Sequence, residues 1–502
     1  MWYDWNMTFD DLANKISYLS DSDQKLINKV FLYAQKAHDG QKRNTGEPYI
    51  QHSLCAAVTI AELKLDVSSV AAALLHDICE DTDITPLQLR KEFGKEISSI
   101  VDGVTKLSKI RITTRWLFVK EKEQLAEYDR QVETLRKMFV AMAQDIRVVI
   151  IKLSDRLHNM QTISGVPENK RYRIAKETLI IYTPIANRLG MGELKGQLED
   201  LCFPIVYPKE YTELKKQVAN KLTEKEKYIT KLKKTIMIKL YKEGIRGEIH
   251  GRTKHMYSLW RKLQRYDNDL SYIYDLVALR IIVNTIEECY KTLGIIHKNW
   301  KPLVGRIKDY IAMPKPNGYR SIHTTVFGPG GEIVEIQIRT KEMHQQAEFG
   351  IAAHWNYSEK KGGLDYILRK NSRVPKGELV WVKELANWQK ALSDNKEMFS
   401  TLGMDFFSKR IFVYTPTGDV KDLPVGATPI DFAYAVHTDL GNHTGGAKVN
   451  NKMVDFSHQL QSGDIVEIIK KKNASPKTDW LEYAKTSLAR GKIKSQTKNL
   501  KK

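Results

Sequence analysis

The hydrophobic period changes along this chain, and that change constrains the fold more than any other feature. Up to about residue 200, apolar residues recur at three- and four-residue spacing, in Leu26–Ala37, Ala56–Leu63, Val70–Ile78, Leu135–Met142 and Leu179–Leu189. That spacing lines one face of a helix, so residues 1–200 are expected to be all-α. Thr45-Gly46-Glu47-Pro48, Thr85-Pro86 and Val166-Pro167 separate the helices, and Pro184 predicts a kink. Residues 201–245 shift to Lys, Glu, Leu and Ile, a charged helical connector that Gly244 should end. From 246 the pattern turns strand-like. Ala278–Val283 is one short β-rich run, and Ser321–Phe327 and Glu332–Arg339 flank Gly328-Pro329-Gly330-Gly331, a hairpin signal. Helical patterns between these runs predict a mixed α/β domain over 246–357. Residues 358–407 read as a helical linker. Strands at Arg410–Tyr414 and Ile465–Ile469, with a helix starting at Pro429, predict a small β-grasp module over 408–472. Residues 473–502 are left as a basic tail.

This multidomain reading fits 502 residues, enough for about three domains. With 42% hydrophobic and 28% charged residues, a wholly disordered chain is excluded. No run approaches the ~18 apolar residues of a membrane span. The acidic stretch Met1–Asp11 predicts no signal peptide. Cys55, Cys79, Cys202 and Cys289 form no close-spaced pair, which argues against a disulfide scaffold or zinc ribbon and predicts the reducing cytoplasm. The net charge is +20, and the 33 residues from Lys470 hold 11 basic and 2 acidic residues. So local an excess predicts RNA or another polyanion as partner of the tail.

The densest chemistry lies in Leu74-Leu75-His76-Asp77-Ile78-Cys79-Glu80-Asp81, where an apolar helix runs into four polar groups. On a continuous helix His76 and Glu80, and Asp77 and Asp81, are i,i+4 neighbours. His52 lies beside the preceding helical segment and Asp155 on a later one. Two imidazoles and two carboxylates with open positions suit an octahedral Mn²⁺- or Fe²⁺-like ion better than a closed structural zinc site. Such an ion activates water and polarises a phosphoryl oxygen. Glu80 and Asp81 are then placed to accept and orient the water's proton, and Arg43 to pair with phosphate. The residues point to a metal phosphohydrolase.

A second cluster begins at Gly251-Arg252-Thr253-Lys254 and continues through Tyr274-Asp275, Arg306–Tyr310 and Pro314–Ser321 to Glu335–Thr340. Its many Arg and Lys residues can clamp a triphosphate. Asp275 and Glu335, at strand positions, can hold Mg²⁺ and activate a hydroxyl. Tyr319, in a Gly-bearing turn, offers a stacking face for a base. No Gly-x-x-x-x-Gly-Lys-Ser/Thr motif is present, so a Walker NTPase is unsupported.

From about residue 25 to about 490 the chain resembles the long RelA/SpoT homologues of the bacterial stringent response. The resemblance is carried by Gly46–His52, His76-Asp77 with Glu80-Asp81, and Asp155–Met160. It continues in Tyr274–Arg280, Asn317-Gly318-Tyr319 with Ser321–Thr324, and Glu335–Thr340. It implies an HD-type domain that uses Mn²⁺ to remove the 3′-pyrophosphate of (p)ppGpp, leaving GDP or GTP. His52, His76, Asp77 and Asp155 match the metal ligands. Glu80 and Asp81 match the catalytic acids, and Arg43, Asn159 and Thr162 match nucleotide contacts. It also implies a nucleotidyltransferase-like synthetase domain that transfers pyrophosphate from ATP to the 3′-hydroxyl of GDP or GTP. There Asp275 and Glu335 match the acids for Mg²⁺ and hydroxyl activation, and Tyr319 the guanine-stacking tyrosine. Arg252, Lys254, Ser258, Lys262, Lys308, Lys315, Asn317 and His323 match substrate contacts. Arg306-Ile307-Lys308-Asp309 has the basic form of bifunctional members. The third module resembles a TGS domain, with His437 at the position that meets the tRNA 3′ end, so tRNA or the ribosome is an implied partner.

Three departures stand out. Asn44 follows Arg43 where another basic residue is usual. Residues 108–132 are longer than usual and carry Trp116-Leu117-Phe118. The chain stops at Lys502, before the helical, zinc-finger-like and ACT domains the resemblance implies downstream. Two alternatives to a bifunctional enzyme remain. One is a hydrolase-dominant enzyme with a regulatory synthetase domain. The other is an RNA- or ribosome-binding regulator acting through the TGS domain and tail. The complete set of acids in both sites favours the bifunctional reading.

Overall fold

The computed structural model describes residues 7–108, 134, 137–138, 140–142, 144–269, 273, 276–315, 317–353, 410–471 and 473–499. Asp275, most of the 108–132 stretch and the expected linker at 358–407 lie outside the described residues. The described residues form two compact units. One holds 7–108 with 144–353, and the other holds 410–499 with residues among 134–142.

The first unit begins all-helical: α1 (Phe9–Lys15), α2 (Asp21–Ala37), α3 (Ile50–Glu62), α4 (Val67–Leu74), α5 (Ile78–Asp81), α6 (Pro86–Ser108) and α7 (Ile146–Gln161). Starts are set by side-chain caps: Ser20 accepts from Asp23 N (3.2 Å), and Asp66 accepts from Ser69 N (2.7 Å). Buried Asp66 also meets Arg147, which holds Asp145 and Glu96 as well, tying α4, α6 and α7 together. The expected kink is present: α8 (Glu168–Glu177) widens into a π-turn at Thr178–Tyr182 before α9 (Thr183–Arg188). Pro184 has no N–H to give the preceding turn, and the Thr183 hydroxyl satisfies the Leu179 carbonyl instead (2.9 Å).

The expected connector is two helices with structural duties on both sides. They are α10 (Gly192–Val206) and α11 (Pro208–Lys242). Ile229, Leu232, Ile236 and Leu240 of α11 belong to the core beneath the sheet. Gly244, at φ +78°, ends α11. Its N–H reaches Tyr241 O and the Ile245 N–H reaches Leu240 O (both 3.0 Å), a Schellman closure with Ile245 and Leu240 buried together.

Strands β1 (Glu248–Thr253), β2 (Val277–Val283), β3 (Lys308–Asp309), β4 (Ile322–Phe327) and β5 (Ile333–Thr340) form one sheet in the order β1-β2-β5-β4-β3. Only β2 and β5 run parallel. Helices α12 (Met256–Leu263), α13 (Ile286–Asn299) and α14 (Lys341–Phe349) complete the module. Alternation decides the two faces. Val277, Leu279, Ile281, Val334, Ile336, Ile338, Ile322 and Val326 pack onto α11 and α13. The register then puts Arg252, Arg280, Glu335, Gln337, Arg339, His323 and Lys308 on the opposite face. Hence the second candidate site is a sheet face.

In the second unit, β6 (Arg410–Tyr414) pairs with β7 (Val420–Pro424), and β8 (Thr444–Val449), β9 (Lys452–Val454) and β10 (Val466–Lys470) form a sheet ordered β10-β8-β9. Helices α15 (Pro429–Val436) and α16 (Thr438–Asn442) lie between. The segment expected to be a tail carries α17 (Trp480–Tyr483) and α18 (Ser487–Asn499). Trp480, Ala484, Ala489 and Ile493 pack on Ile430 and Tyr434. Buried Asp431 accepts from Thr428 N (2.9 Å) at the start of α15, and from Lys485 N (2.9 Å) and Thr486 N (2.7 Å) at the start of α18.

Asp431→Ala removes the acceptor from several buried donors at once. The expected cost is about 2–4 kcal/mol to this unit. Thermal unfolding and tryptic cleavage between Lys477 and Arg490 read it; wild-type resistance in the variant would show that α18 does not depend on this cap.

Candidate active sites

The first site forms where α3, the α4–α5 turn and α7 meet. His52 sits on α3, His76 and Asp77 in the turn, and Asp155 on α7. The chain does not run as one helix through His76 to Glu80, as the spacing predicted. α4 ends at Leu74 because the His76 ring takes the Ala73 carbonyl (Nδ1 to O, 2.9 Å), the acceptor that Asp77 N would use in a continuing helix. The break serves geometry. Successive residues on a helix point about 100° apart, whereas here His76 Nε2 and Asp77 Oδ2 stand 3.1 Å apart. His52 Nε2 is 3.3 Å from Asp77 Oδ2, 3.2 Å from Asp155 Oδ1 and 3.2 Å from His76 Nε2. Two imidazole nitrogens and two carboxylate oxygens thus converge, and three of the residues, His52, His76 and Asp155, are buried.

This donor set fits a divalent cation. His76 donates from Nδ1 to a backbone carbonyl, which leaves a lone pair on Nε2. His52 Nδ1 lies 2.8 Å from His158 Nδ1, so one ring donates and the other accepts. Burial first, then His52 and Arg43, push His158 down to about 3, so it stays neutral and can accept. Burial also acts against the charged form of His76, but Asp77 and Asp155 outweigh it and carry that imidazole up to about 9. Burial works against ionised Asp77 and Asp155 too. His76 and His52 hold Asp77 well below the usual range, and Lys152, whose Nζ is 2.6 Å from Asp155 Oδ2, does so most for Asp155.

The remaining expected residues fall around this centre. Tyr49 O–H reaches Asp77 Oδ2 (2.9 Å) and Asp81 Oδ2 (2.6 Å), so one hydroxyl proton serves two carboxylates. Glu80 and Asp81 share the one-turn α5. Asn159 donates to Asp155 and accepts from Arg43 Nη2 (2.7 Å), which places Arg43 at the rim. Thr162 is buried with its hydroxyl on the His158 carbonyl (2.9 Å), one turn back on its own helix. Sequence reasoning gave no role to Tyr49, Lys152 or His158. Lys152 and His158 sit three residues either side of Asp155 on α7, a helical-neighbour signal that could have found them.

In the second site, Glu335 is the central acid among the described residues. Gln337 Nε2 donates to it (3.0 Å) and His323 Nδ1 lies 3.4 Å away. Burial raises its carboxyl, but His323 above all brings it down to about 2, with Lys254 contributing. His323 continues to the Tyr319 hydroxyl (2.8 Å). Lys315 Nζ lies over the rings of Tyr310 (4.5 Å) and Tyr319 (4.9 Å), and burial followed by Lys308 lowers its pKa. Lys254, Lys308, Lys315, Tyr319, His323 and Glu335 are thereby grouped. Asn317 holds the Tyr319 turn and reaches the Asn187 carbonyl (3.4 Å). Ser258 and Lys262 lie one turn apart on α12, and the Ser258 hydroxyl meets Glu199 (3.1 Å). Arg252 stands on β1 on the same sheet face.

Sequence reasoning assigned nothing to Arg280, Arg339 and Glu348. Both arginines are buried and share Glu348 of α14, at 3.0 Å and 3.5 Å. Burial pushes Arg339 down to about 10. The Nε groups of both find no hydrogen-bond partner among the described residues, which suits an acceptor-rich ligand. The polar positions in Glu335-Ile336-Gln337-Ile338-Arg339 alternate with isoleucines, so period 2 alone marks their common face. In the second unit His437 is exposed and caps α16, accepting from Asp439 N (3.2 Å).

Metal binding should depend on pH in a defined sense. In the metal-free site His76 keeps its proton through pH 7 and loses it near 9. A divalent ion takes the neutral ring, so binding near neutrality releases that proton. Apparent affinity should rise about tenfold per pH unit from 6.5 to 8.5 and level off above 9. The same raised pKa stabilises the metal-free fold at low pH, an effect lost as pH rises through 9. Calorimetric titration of chelator-stripped protein with Mn²⁺, in buffers of different ionisation heat, measures affinity and proton release. A pH-independent affinity would remove His76 from the ligand set.

Comparison with known proteins places three family models along the chain: HD domain over 31–192, "Region found in RelA / SpoT proteins" over 251–362, and TGS domain over 411–470. A GTP pyrophosphokinase of Myxococcus xanthus is 45% identical over 97% of this chain and 63% of its own length. The bifunctional (p)ppGpp synthase/hydrolase SpoT of Escherichia coli K12 is 42% identical over 98% of this chain and 68% of its own. With a Streptomyces coelicolor relative included, the chain spans 56% to 68% of these curated relatives' length. Small alarmone synthetase 2 of Bacillus subtilis aligns with 35% of this chain and 94% of its own, at 26% identity and a TM-score of 0.23. No described helix is long and apolar enough to cross a membrane.

Proposed function

The chain belongs to the RelA/SpoT family, and on that premise we propose that it makes and removes (p)ppGpp at two separate sites. One would transfer pyrophosphate from ATP to the 3′-hydroxyl of GDP or GTP. The other would hydrolyse the 3′-pyrophosphate back to GDP or GTP. The carrying observation is the convergence of His52, His76, Asp77 and Asp155 within one helical module while Glu335, His323, Tyr319 and Lys315 group on the sheet of the next.

In the helical module His52, His76, Asp77 and Asp155 would hold Mn²⁺. That ion supplies an acidified water and a Lewis acid for the phosphoryl oxygen. Glu80 and Asp81 would take and orient the water's proton, with Tyr49 steering Asp81 by its hydrogen bond. Arg43, fixed through Asn159, would pair with the nucleotide's phosphates. In the α/β module Tyr319 would stack on guanine while Lys308, Lys315, Asn317 and His323 contact the acceptor nucleotide. Arg252, Lys254, Ser258 and Lys262 would hold the ATP triphosphate. Glu335, with Asp275, would bind Mg²⁺ and orient the 3′-hydroxyl. Glu335 can accept that proton only if His323 loosens its hold, since a carboxyl near 2 is a weak base. The second unit would add a tRNA or ribosome contact, favoured by exposed His437 and by Lys485, Lys492 and Lys494 exposed on and beside a folded helix.

Incubation with ATP, GDP and Mg²⁺, and separately with ppGpp and Mn²⁺, followed by nucleotide chromatography, tests both directions. Asp77→Ala should abolish hydrolysis and spare synthesis; retained hydrolysis would sink the ligand assignment. Glu335→Gln should lower synthetic turnover by about 10²–10⁴-fold. Tyr319→Ala should instead weaken guanine-nucleotide binding by about 1–3 kcal/mol. An unchanged turnover in the Gln variant would reduce Glu335 to a strand residue.

A further inference from the structure

Helix α10 presents Glu193, Gly196 and Asp200 to the turn between β1 and α12, a contact that neither candidate site accounts for. Asp200 Oδ1 accepts from Tyr257 N at 2.9 Å. Tyr257 is the second residue of α12, so its N–H is one of the donors that a helix start leaves open. A capping acceptor normally comes from the same segment. The N-cap position of α12 is His255, and it makes no side-chain cap bond. Its ring instead lies across α10, with Nδ1 2.8 Å from Asp200 Oδ2 and Nε2 3.7 Å from Glu193 Oε2. The ring fits only because residue 196 is glycine: a β-carbon there would stand 2.2 Å from Nε2. Burial opposes the imidazolium, but Asp200 and Glu193 carry His255 up to about 9, and the His255 contact brings Glu193 down to about 2. One carboxylate therefore caps α12 from outside and pins its N-cap residue.

We propose that Asp200 and His255, seated over Gly196, are positioning residues for the donor nucleotide in (p)ppGpp synthesis. This rests on the synthetase reading above. Lys254 lies just before His255, and Ser258 and Lys262 follow it on α12, so these three donor-side residues flank the pivot, while Arg252 is held by the pairing of β1 with β2. The latch comes from the helix after the HD region, and shifting α12 by about 1 Å is enough to spoil alignment of a triphosphate.

Two variants displace the ring by different means. Gly196→Ala inserts a methyl where the imidazole lies, removes no charge, and by helix propensity favours α10. His255→Ala removes the ring. Each should raise the KM for ATP about tenfold with kcat within about threefold, and should leave the KM for GDP and the rate of ppGpp hydrolysis unchanged. Because both act on one contact, the double variant should be no worse than His255→Ala alone. Dissociation constants for a non-hydrolysable ATP analogue, measured on the full chain by calorimetry, should follow the KM values. An unchanged ATP KM and analogue affinity in both single variants would overturn the proposal. So would equal losses of synthesis and hydrolysis, which would mark a general packing role. Absence of any synthesis by the wild-type chain would instead overturn the synthetase reading itself.

Discussion

Helix Gly192–Val206 has to bury its surface against two chemically different modules at once, and both candidate sites depend on how it does so. Leu194, Leu198, Cys202 and Phe203 are buried on it. Phe203 lies in an aromatic cluster with Tyr207, Tyr211, Tyr257 and Trp260, which fixes α12 against the end of α10. On another side α10 packs on α7, the helix that carries Asp155, and its N-terminal part meets α14. There the backbones approach closely: Ile351 N reaches Leu189 O at 2.8 Å, and a β-carbon on Gly350 would strike that same carbonyl. Bulk cannot be inserted at these points without moving a module.

The two sites differ in sign, and the difference matches their proposed ligands. In the helical site, imidazoles and carboxylates face inward with Lys152 behind Asp155. Such a set is costly to bury without a cation, because each ionised group loses water and the neighbours compensate only in part. On the sheet face the imbalance is reversed. Arg252, Arg280, Lys308 and Arg339 point the same way as Glu335, where Glu348 from α14 meets Arg280 and Arg339 and Glu248 stands at the start of β1. A polyanion bound there would relieve that repulsion and give the open guanidinium donors acceptors. On the proposed reading, one module would take a cation that handles phosphate, and the other phosphate itself.

Much of this was legible because local pattern and tertiary need agree. The Gly328–Gly331 hairpin, the stop at Gly244 and the helical first module follow from turn chemistry and periodicity that the packing does not override. The break at His76 was not legible, because a helix-compatible sequence loses to one side-chain hydrogen bond that period counting cannot see. The fate of residues 480–499 was hidden for a related reason. Their charge excess suggests solvation, but Trp480 and Ile493 find apolar partners, and Asp431, 54 residues before Lys485, supplies the cap. The metal-ligand candidates could be read as residue types in order. The groups that orient them, His158, Tyr49 and Lys152, become visible only when α3, α5 and α7 converge.

Asp200 and Asp155 show why neighbouring sites on such a chain need not act alone. Asp155 belongs to the candidate metal site from α7, Asp200 holds α12 from α10, and α7 packs on α10. Any ligand that shifts α7 relative to α10 changes the free energy of the other site, and the effect must be mutual because it belongs to one conformational equilibrium. The two reactions proposed here run in opposite directions and, uncoupled, would consume ATP without net product. A rigid helix with a carboxylate clamp at one module and apolar packing at the other transmits displacement better than a flexible tether. Helix α10 accordingly meets α12 through Glu199, Asp200 and Phe203 while it packs on α7.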